Sequence, residues 1–358
     1  MLWKACALAC GWLFRKLRAR GRLRGMNKLL SFAALALLPQ IALAPPALAQ
    51  ASAAQAAGKT KPSPLAPSEI VAAAPKADWT AIAPSDLLVM DLAPDLKGKP
   101  RRVVIQLMPP PFSQGWIGNI RTLAKAHWWD GLSINRVQDN YVVQWGDANA
   151  DDKVKARALP AGLVTVRESE YESHTKLHSL DEAEDCVGIV GLDVYADCSG
   201  LQSGWPTGSA YTDTPFERNS WPIHCYGMVG VGRDLSPNTG SGAELYVVIG
   251  HAPRHLDRNI ALVGRVIEGI EHLSSLPRGT GGLGFYESAD ERTPIVSIKP
   301  ASEVTGLPAY EYLSTESASF ARYADARANR RDAFFILPAR SVDICNVPVP
   351  VRRSTGSR

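Results

Sequence analysis

From Asp86 onward, apolar positions come in short β-type runs separated by turn chemistry. "DLLVMDL" (86–92) and "RRVVIQLMP" (101–109) read as strands on either side of the turn-rich "APDLKGKP" (93–100). The period then changes. In "GWIGNIRTLAKAHWW" (115–129), Trp116, Ile120, Leu123 and His127 fall three or four apart, which predicts a helix over 115–128. "INRV" (134–137) and "YVVQW" (141–145) flank the turn residues Asp139 and Asn140 and predict a hairpin. "YGMVGVGRD" (226–234) and "AELYVVIG" (243–250) resume the strand pattern. "LDRNIALVGRVIEGIEHLSSL" (256–276) predicts a strand and then a helix over 266–276, with Val266, Ile270 and Leu273 on one face. "TPIVSIKPASEV" (293–304) reads as a closing strand.

Three segments depart from this texture. Residues 148–226 are long, polar and irregular, and read as an insertion. Residues 50–84 open with an Ala/Pro/Lys-rich stretch without periodicity and read as a linker. Residues 301–358 form a C-terminal extension expected to pack on the main domain, with a helical "SASFARYADARANRRDAFF" (317–335) and a strand-like "SVDICNVPV" (341–349). No internal repeat is present.

Composition changes the picture at the N-terminus. The whole chain of 358 residues carries a formal charge of +4. Residues 1–49 hold eight Lys or Arg and no acid, and the remainder has 31 basic against 35 acidic residues, a charge of −4. That balance disfavours nucleic acid as a partner. Met26 opens "MNKLLSFAALALLPQIALAPPALAQA", in which one lysine precedes an apolar run and "ALA" (47–49) precedes Gln50. This reads as a secretory signal peptide over 26–49, with a mature start near Gln50 and a periplasmic destination; 1–25 are an extended or non-native leader. The apolar run is short and broken by Pro39, so no membrane span is expected after leader removal. In an oxidising compartment Cys186, Cys198, Cys225 and Cys345 suggest two disulfides, with Cys186–Cys198 and Cys225–Cys345 the favoured pairing of three.

Candidate chemistry narrows by exclusion. "GTGGLG" (279–284) matches a dinucleotide fingerprint formally but follows a helix pattern rather than a strand. His174 and His178 lack a third ligand, and Pro253 interrupts His251 and His255, so no metal and no cofactor is expected. What stands out is the hairpin, where Arg136 and Gln144 are polar groups on apolar strands. Burying them unpartnered would cost several kcal/mol. Either each has a structural partner, such as Asp147 for Arg136, or both face a ligand.

The spacing of the hairpin is similar to that of cyclophilins. Family members carry Phe-His-Arg-Val and then Phe-Met-x-Gln-Gly-Gly-Asp, where this chain has Ile134-Asn135-Arg136-Val137 and then Tyr141-Val142-Val143-Gln144-Trp145-Gly146-Asp147. "GMVGVGR", "SPNTGSGAELY" and "LDRNIALVGRV" follow in the family's order, so the resemblance covers roughly 86–300. It implies a mainly β fold: a closed eight-stranded antiparallel barrel capped by two helices, here as a domain over 85–300. It implies peptidyl-prolyl cis–trans isomerisation, with Arg136 and Gln144 catalytic, proline-containing polypeptides as partners, and Tyr141, Val142, Tyr246, Asn135, Glu244, His255 and Arg233 contacting substrate. Tyr141 and Gln144 are three apart, so a bulge or bend must re-aim one of them. Departures fall on the rim. Asn135 replaces a histidine, His255 a tryptophan, Ile260 a histidine, Glu244 a glutamine, and Arg233 or Asp234 an asparagine. Weak cyclosporin binding follows from that rim. A non-catalytic peptide-binding module, or a subunit of a cell-envelope assembly, is the alternative.

Overall fold

The computed structural model describes residues 64–176, 193–213 and 217–354, all within one compact unit, Thr60–Arg358. Residues 1–49, where a leader and signal peptide are expected, together with His178 and Cys186, lie outside the described residues, so neither that expectation nor the Cys186–Cys198 bridge is addressed. Among the described residues no helix is long and apolar enough to cross a membrane.

Eight antiparallel strands close into a barrel. They are β2 (Leu87–Leu92), β3 (Arg101–Leu107), β4 (Ser133–Val137), β5 (Val142–Gly146), β10 (Met228–Val231), β11 (Leu245–Val248), β12 (Leu262–Glu268) and β13 (Thr293–Pro300). The order is β10-β11-β5-β4-β13-β2-β3-β12, and β10 pairs with β12 to complete the ring. Closure leaves no exposed edge. Alternation explains the wall. Ile134, Val137, Val143 and Trp145 point into the core with Met90 and Ile105. On the opposite face of β2 and β3, Leu87 and Val104 are buried as well, under Ile82, Ala301 and Tyr310. That second cover is why both faces of β2 read as apolar.

The helices follow in part. α2 (Gln114–Lys125) buries Trp116, Ile120 and Leu123 in the core. It stops before His127, which is exposed and left-handed at φ 53°. The expected helix over 266–276 is corrected: β12 runs through Glu268 opposite Val104, and only α3 (Glu271–Ser274) is helical. Gly269 separates them at φ 85°, pressed on the carbonyl of Arg102 where a Cβ would clash. Val266, Ile270 and Leu273 thus mimic a helical stripe across a strand, a turn and a single helical turn.

The described parts of the three remaining segments hold elements of their own, and the expected helix over 317–335 shortens to Ala318–Ala328. The insertion holds a four-stranded sheet, β6 (Ser173–Lys176), β9 (Glu217–Pro222), β8 (Trp205–Tyr211) and β7 (Cys198–Gln202), in that order. The reading of 50–84 as linker is corrected over its second half. There, α1 (Pro67–Ala72) packs on α4 (Ala318–Ala328), and β1 (Trp79–Ala81) pairs with β14 (Tyr310–Leu313). Ala74, Trp79, Leu313, Phe320 and Tyr323 form a satellite core, so an unpatterned segment gains structure from a distant partner. β15 (Val351–Arg353) completes this sheet. "SVDICNVPV" is not a strand; it contains a single 3₁₀ turn at Ile344–Asn346. The turn carries Cys345, disulfide-bonded to Cys225 with 5.0 Å between Cα atoms.

Candidate functional site

The register of β4 against β5 creates the site. Ile134 pairs with Trp145, Arg136 with Gln144 and Val137 with Val143, so Asn135 is an extra residue in a β-bulge. In an unbroken strand Arg136 would share the core-facing side of Ile134. The bulge turns it outward, beside Gln144, and returns Val137 to the core. Asn135 itself is not brought to the groove. Its amide donates to Gly146 O at 3.0 Å and its Oδ1 accepts from Ser133 Oγ at 2.7 Å, so it braces the bulge.

Arg136 is half-buried, and its hydrogen-bond partners among the described residues are neutral oxygens. Nε donates to Leu283 O at 2.7 Å, Nη1 to Gln144 Oε1 at 3.3 Å, and Nη2 to Gln138 Oε1. Its guanidinium carbon lies 5.5 Å from the Tyr141 ring centroid and 5.2 Å from that of Phe285. Burial lowers its pKa. The pairing with Asp147 does not form: that carboxylate accepts from the N–H groups of Asn149 and Arg157. Of five guanidinium N–H groups, three are used in these bonds, leaving two donors.

Leu283 O reaches Arg136 through the glycine-rich "GTGGLG". Gly284, at φ 79°, lies flush on Gln138, where a Cβ would clash with the backbone. Gly279 N–H donates to Val137 O. The segment is a backbone ledge packed on β4. Phe285, Leu283 and Gln138 are site residues that sequence spacing did not reveal; the glycine cluster was the available signal.

On the other side Gln144 relays to Glu244, whose pKa is raised to about 7. Burial is the main cause, opposed by hydrogen bonds from Asp147 N–H and the Gln144 side chain. Its Oε1 has no partner among the described residues. Gly146 lies directly against this carboxyl, leaving no room for a Cβ.

Val142, Tyr246 and Val248 form an apolar floor outside the barrel core, with Tyr141 and Ile260 packed on it. Tyr141 lies in the turn before β5, so strand parity does not constrain it. Its ring stacks on exposed His255 at 6.4 Å between centroids. The floor is nearly closed, with Val142 2% and Tyr246 4% exposed. Arg233 is tied to Asn259 O at 2.9 Å and Asp234 O at 2.7 Å.

This arrangement sits inside a recognised family. The family model described as cyclophilin type peptidyl-prolyl cis-trans isomerase/CLD matches residues 115–300, just over half the chain. The chain belongs to the cyclophilin family. Among solved structures, the cyclophilin AquaCyp293 from Hirschia baltica is similar at 20% identity and a TM-score of 0.54, covering 78% of this chain and 95% of that one. This likeness supports the fold alone. A cyclophilin type peptidyl-prolyl cis-trans isomerase from Cryptosporidium parvum reaches 11% identity and a TM-score of 0.32 over 60% of this chain and 96% of that one, too low to bear on the fold. No curated protein matches the sequence. As a cyclophilin, the chain pairs an arginine held on neutral acceptors with a tyrosine-floored apolar surface and a rim of His255, Ile260 and Glu244.

Proposed function

We propose that this cyclophilin is an active peptidyl-prolyl isomerase that turns over X-Pro bonds in exported polypeptides and assists folding in the periplasm. One observation carries the catalytic reading: the bulge at Asn135 presents Arg136 outward, fixed on neutral oxygens with donors to spare, next to an apolar floor. Rotation about an X-Pro bond breaks amide resonance across a barrier of about 18–20 kcal/mol and takes tens to hundreds of seconds uncatalysed. In the twisted state the proline nitrogen loses conjugation and becomes a better hydrogen-bond acceptor. A fixed guanidinium N–H donates to it there and far less in the planar ground state, so the interaction favours the transition state. Because Arg136 has no carboxylate partner among the described residues, its charge is not spent on a salt bridge there. Val142, Tyr246 and Tyr141 would hold the proline ring, Gln144 and Glu244 the chain beside it, and His255 and Arg233 the rim.

The leader over 26–49 supports the exported setting. The rim supports weak cyclosporin binding, since His255 is smaller and less apolar than a tryptophan. Near-closure of the floor favours a second reading, a module that holds proline-containing chains without turnover. A protease-coupled isomerisation assay on a short X-Pro peptide separates the two. Catalysis by substoichiometric protein is expected; binding without acceleration would establish the second reading.

A further inference from the structure

Tyr246 introduces a hydroxyl into the floor of the proposed proline pocket. The ring lies across Gly230, where any Cβ would collide with its Cζ and Oη. A hydroxyl buried to this depth needs a partner. His224 provides it: Nε2 stands 2.8 Å from Tyr246 Oη, with the two ring planes nearly parallel at 9°. His224 is completely buried. Its Nδ1 is 2.8 Å from Asp257 Oδ1, which also accepts the His224 backbone N–H at 2.9 Å. Asp257 Oδ2 accepts from Arg254 Nε at 2.6 Å, and Arg254 Nη1 donates to Asp193 Oδ2 at 3.0 Å. A polar line thus runs from the pocket floor to Asp193 in the insertion.

The chemistry of this line fixes its protons. Asp257 is an acceptor, so Nδ1 carries the hydrogen. Burial lowers the His224 pKa, so Nε2 is an acceptor at neutral pH. The Tyr246 hydroxyl therefore donates to His224, and its hydrogen is committed away from substrate. Ring and hydroxyl are both locked.

We propose that His224 is a positioning residue for the isomerase: by accepting the Tyr246 hydroxyl, with Asp257 fixing its tautomer, it holds the floor of the proline pocket in one orientation. This rests on the isomerase reading above. A plain core histidine would support the fold equally whether position 246 carried a hydroxyl or not. A positioning histidine acts through that hydroxyl.

The test is a double-substitution cycle. kcat/KM on an X-Pro peptide is measured for wild type, His224→Leu, Tyr246→Phe and the pair, with thermal midpoints alongside. His224→Leu should lower kcat/KM by about tenfold, because the hydroxyl loses its buried acceptor. In the Tyr246→Phe background the same change should cost less than about twofold. His224→Gln, which keeps an acceptor near the Nε2 position, should recover most of the loss and guards against a folding defect in the leucine variant. Equal losses in both backgrounds, or no loss in the single variant, would overturn the proposal. Histidine-selective nitrogen NMR gives a readout independent of turnover. His224 should appear as the Nδ1–H tautomer, and Tyr246→Phe should shift its Nε2 resonance. An inactive wild type would refute the isomerase reading alone, whereas an unmoved Nε2 resonance would refute the contact itself.

Discussion

Two arginines of the barrel wall, Arg136 on β4 and Arg265 on β12, stand four strands apart on opposite sides of the ring. They are built alike. Neither has a carboxylate partner among the described residues. Arg265 donates to Gln106 Oε1 at 2.9 Å and Gly204 O at 2.8 Å, and its guanidinium lies 4.4 Å from the Trp205 ring centroid. Arg136 likewise donates to side-chain amides and a carbonyl and lies between two rings. The difference is cover. Gly204 and Trp205 of the insertion and Tyr312 of the extension close over Arg265, leaving it 8% exposed with its pKa lowered to about 10. Arg136 keeps an open side. The same construction is mortar on one wall and a candidate catalytic group on the other, so exposure, rather than the set of partners, distinguishes the site.

That contrast is breakable first at the covered wall. The Cys225–Cys345 bridge, 120 residues apart in sequence, ties the extension there. Cys225→Ser combined with Cys345→Ser should cost about 4 kcal/mol of stability in denaturant titration. Isomerase activity should persist below the new midpoint. Next, Arg265→Ala should cost about 3 kcal/mol by leaving Gln106 and Gly204 O unpaired beneath Trp205. Arg265→Met should be much milder, since it fills the space and removes an uncompensated charge. Calorimetry of both variants, paired with kcat/KM, checks this. An Arg265 variant that lost activity but not stability would dissolve the distinction between the walls.

The open wall was the more legible of the two. Alternation along 86–107 and 134–145 marked its strands, and the Arg136-to-Gln144 spacing marked the two side chains that the hairpin brings together. The parity conflict between Tyr141 and Gln144 needs no bulge, because Tyr141 lies in the turn before β5; the bulge at Asn135 is on the other strand, re-aims Arg136, and was not legible without the register. The covering elements were hidden for physical reasons. β6 and β9, with sequences "SHTK" and "ERNSWP", are mostly polar and have no period-2 stripe. α1 and β1 sit in an Ala/Pro-rich stretch and are specified by Phe320, Tyr323 and Leu313, more than two hundred residues later. His224 carries no motif, and its link to Tyr246, 22 residues away in sequence, is made only in the fold.

Smaller effects sharpen the account of the groove. His255→Trp should tighten cyclosporin inhibition about thirtyfold with little change in turnover, as expected for gaining an aromatic anchor. Inhibition assays on both proteins decide it, and a wild type inhibited as tightly as a tryptophan-bearing cyclophilin would contradict the rim assignment. The smallest effect concerns Glu244, whose pKa rises from 4.5 to about 7. Between these values the unfolded chain releases this proton while the folded protein keeps it. The contribution is therefore present below pH 4.5 and lost as pH climbs through about 7. Glu244→Gln should flatten that decline, by about 1 kcal/mol once partial exposure is allowed for, as read from denaturant midpoints across this range.

In the proposed mechanism an outward arginine, fixed by neutral acceptors, drives the rotation. The most direct measurement is protease-coupled isomerisation by wild type and Arg136→Ala, each verified as folded by circular dichroism. Loss of one preorganised donor costs about 2.7–4 kcal/mol of barrier, so kcat/KM should fall roughly a hundred- to a thousandfold with the thermal midpoint nearly unchanged. A folded Arg136→Ala protein as active as wild type would contradict the account.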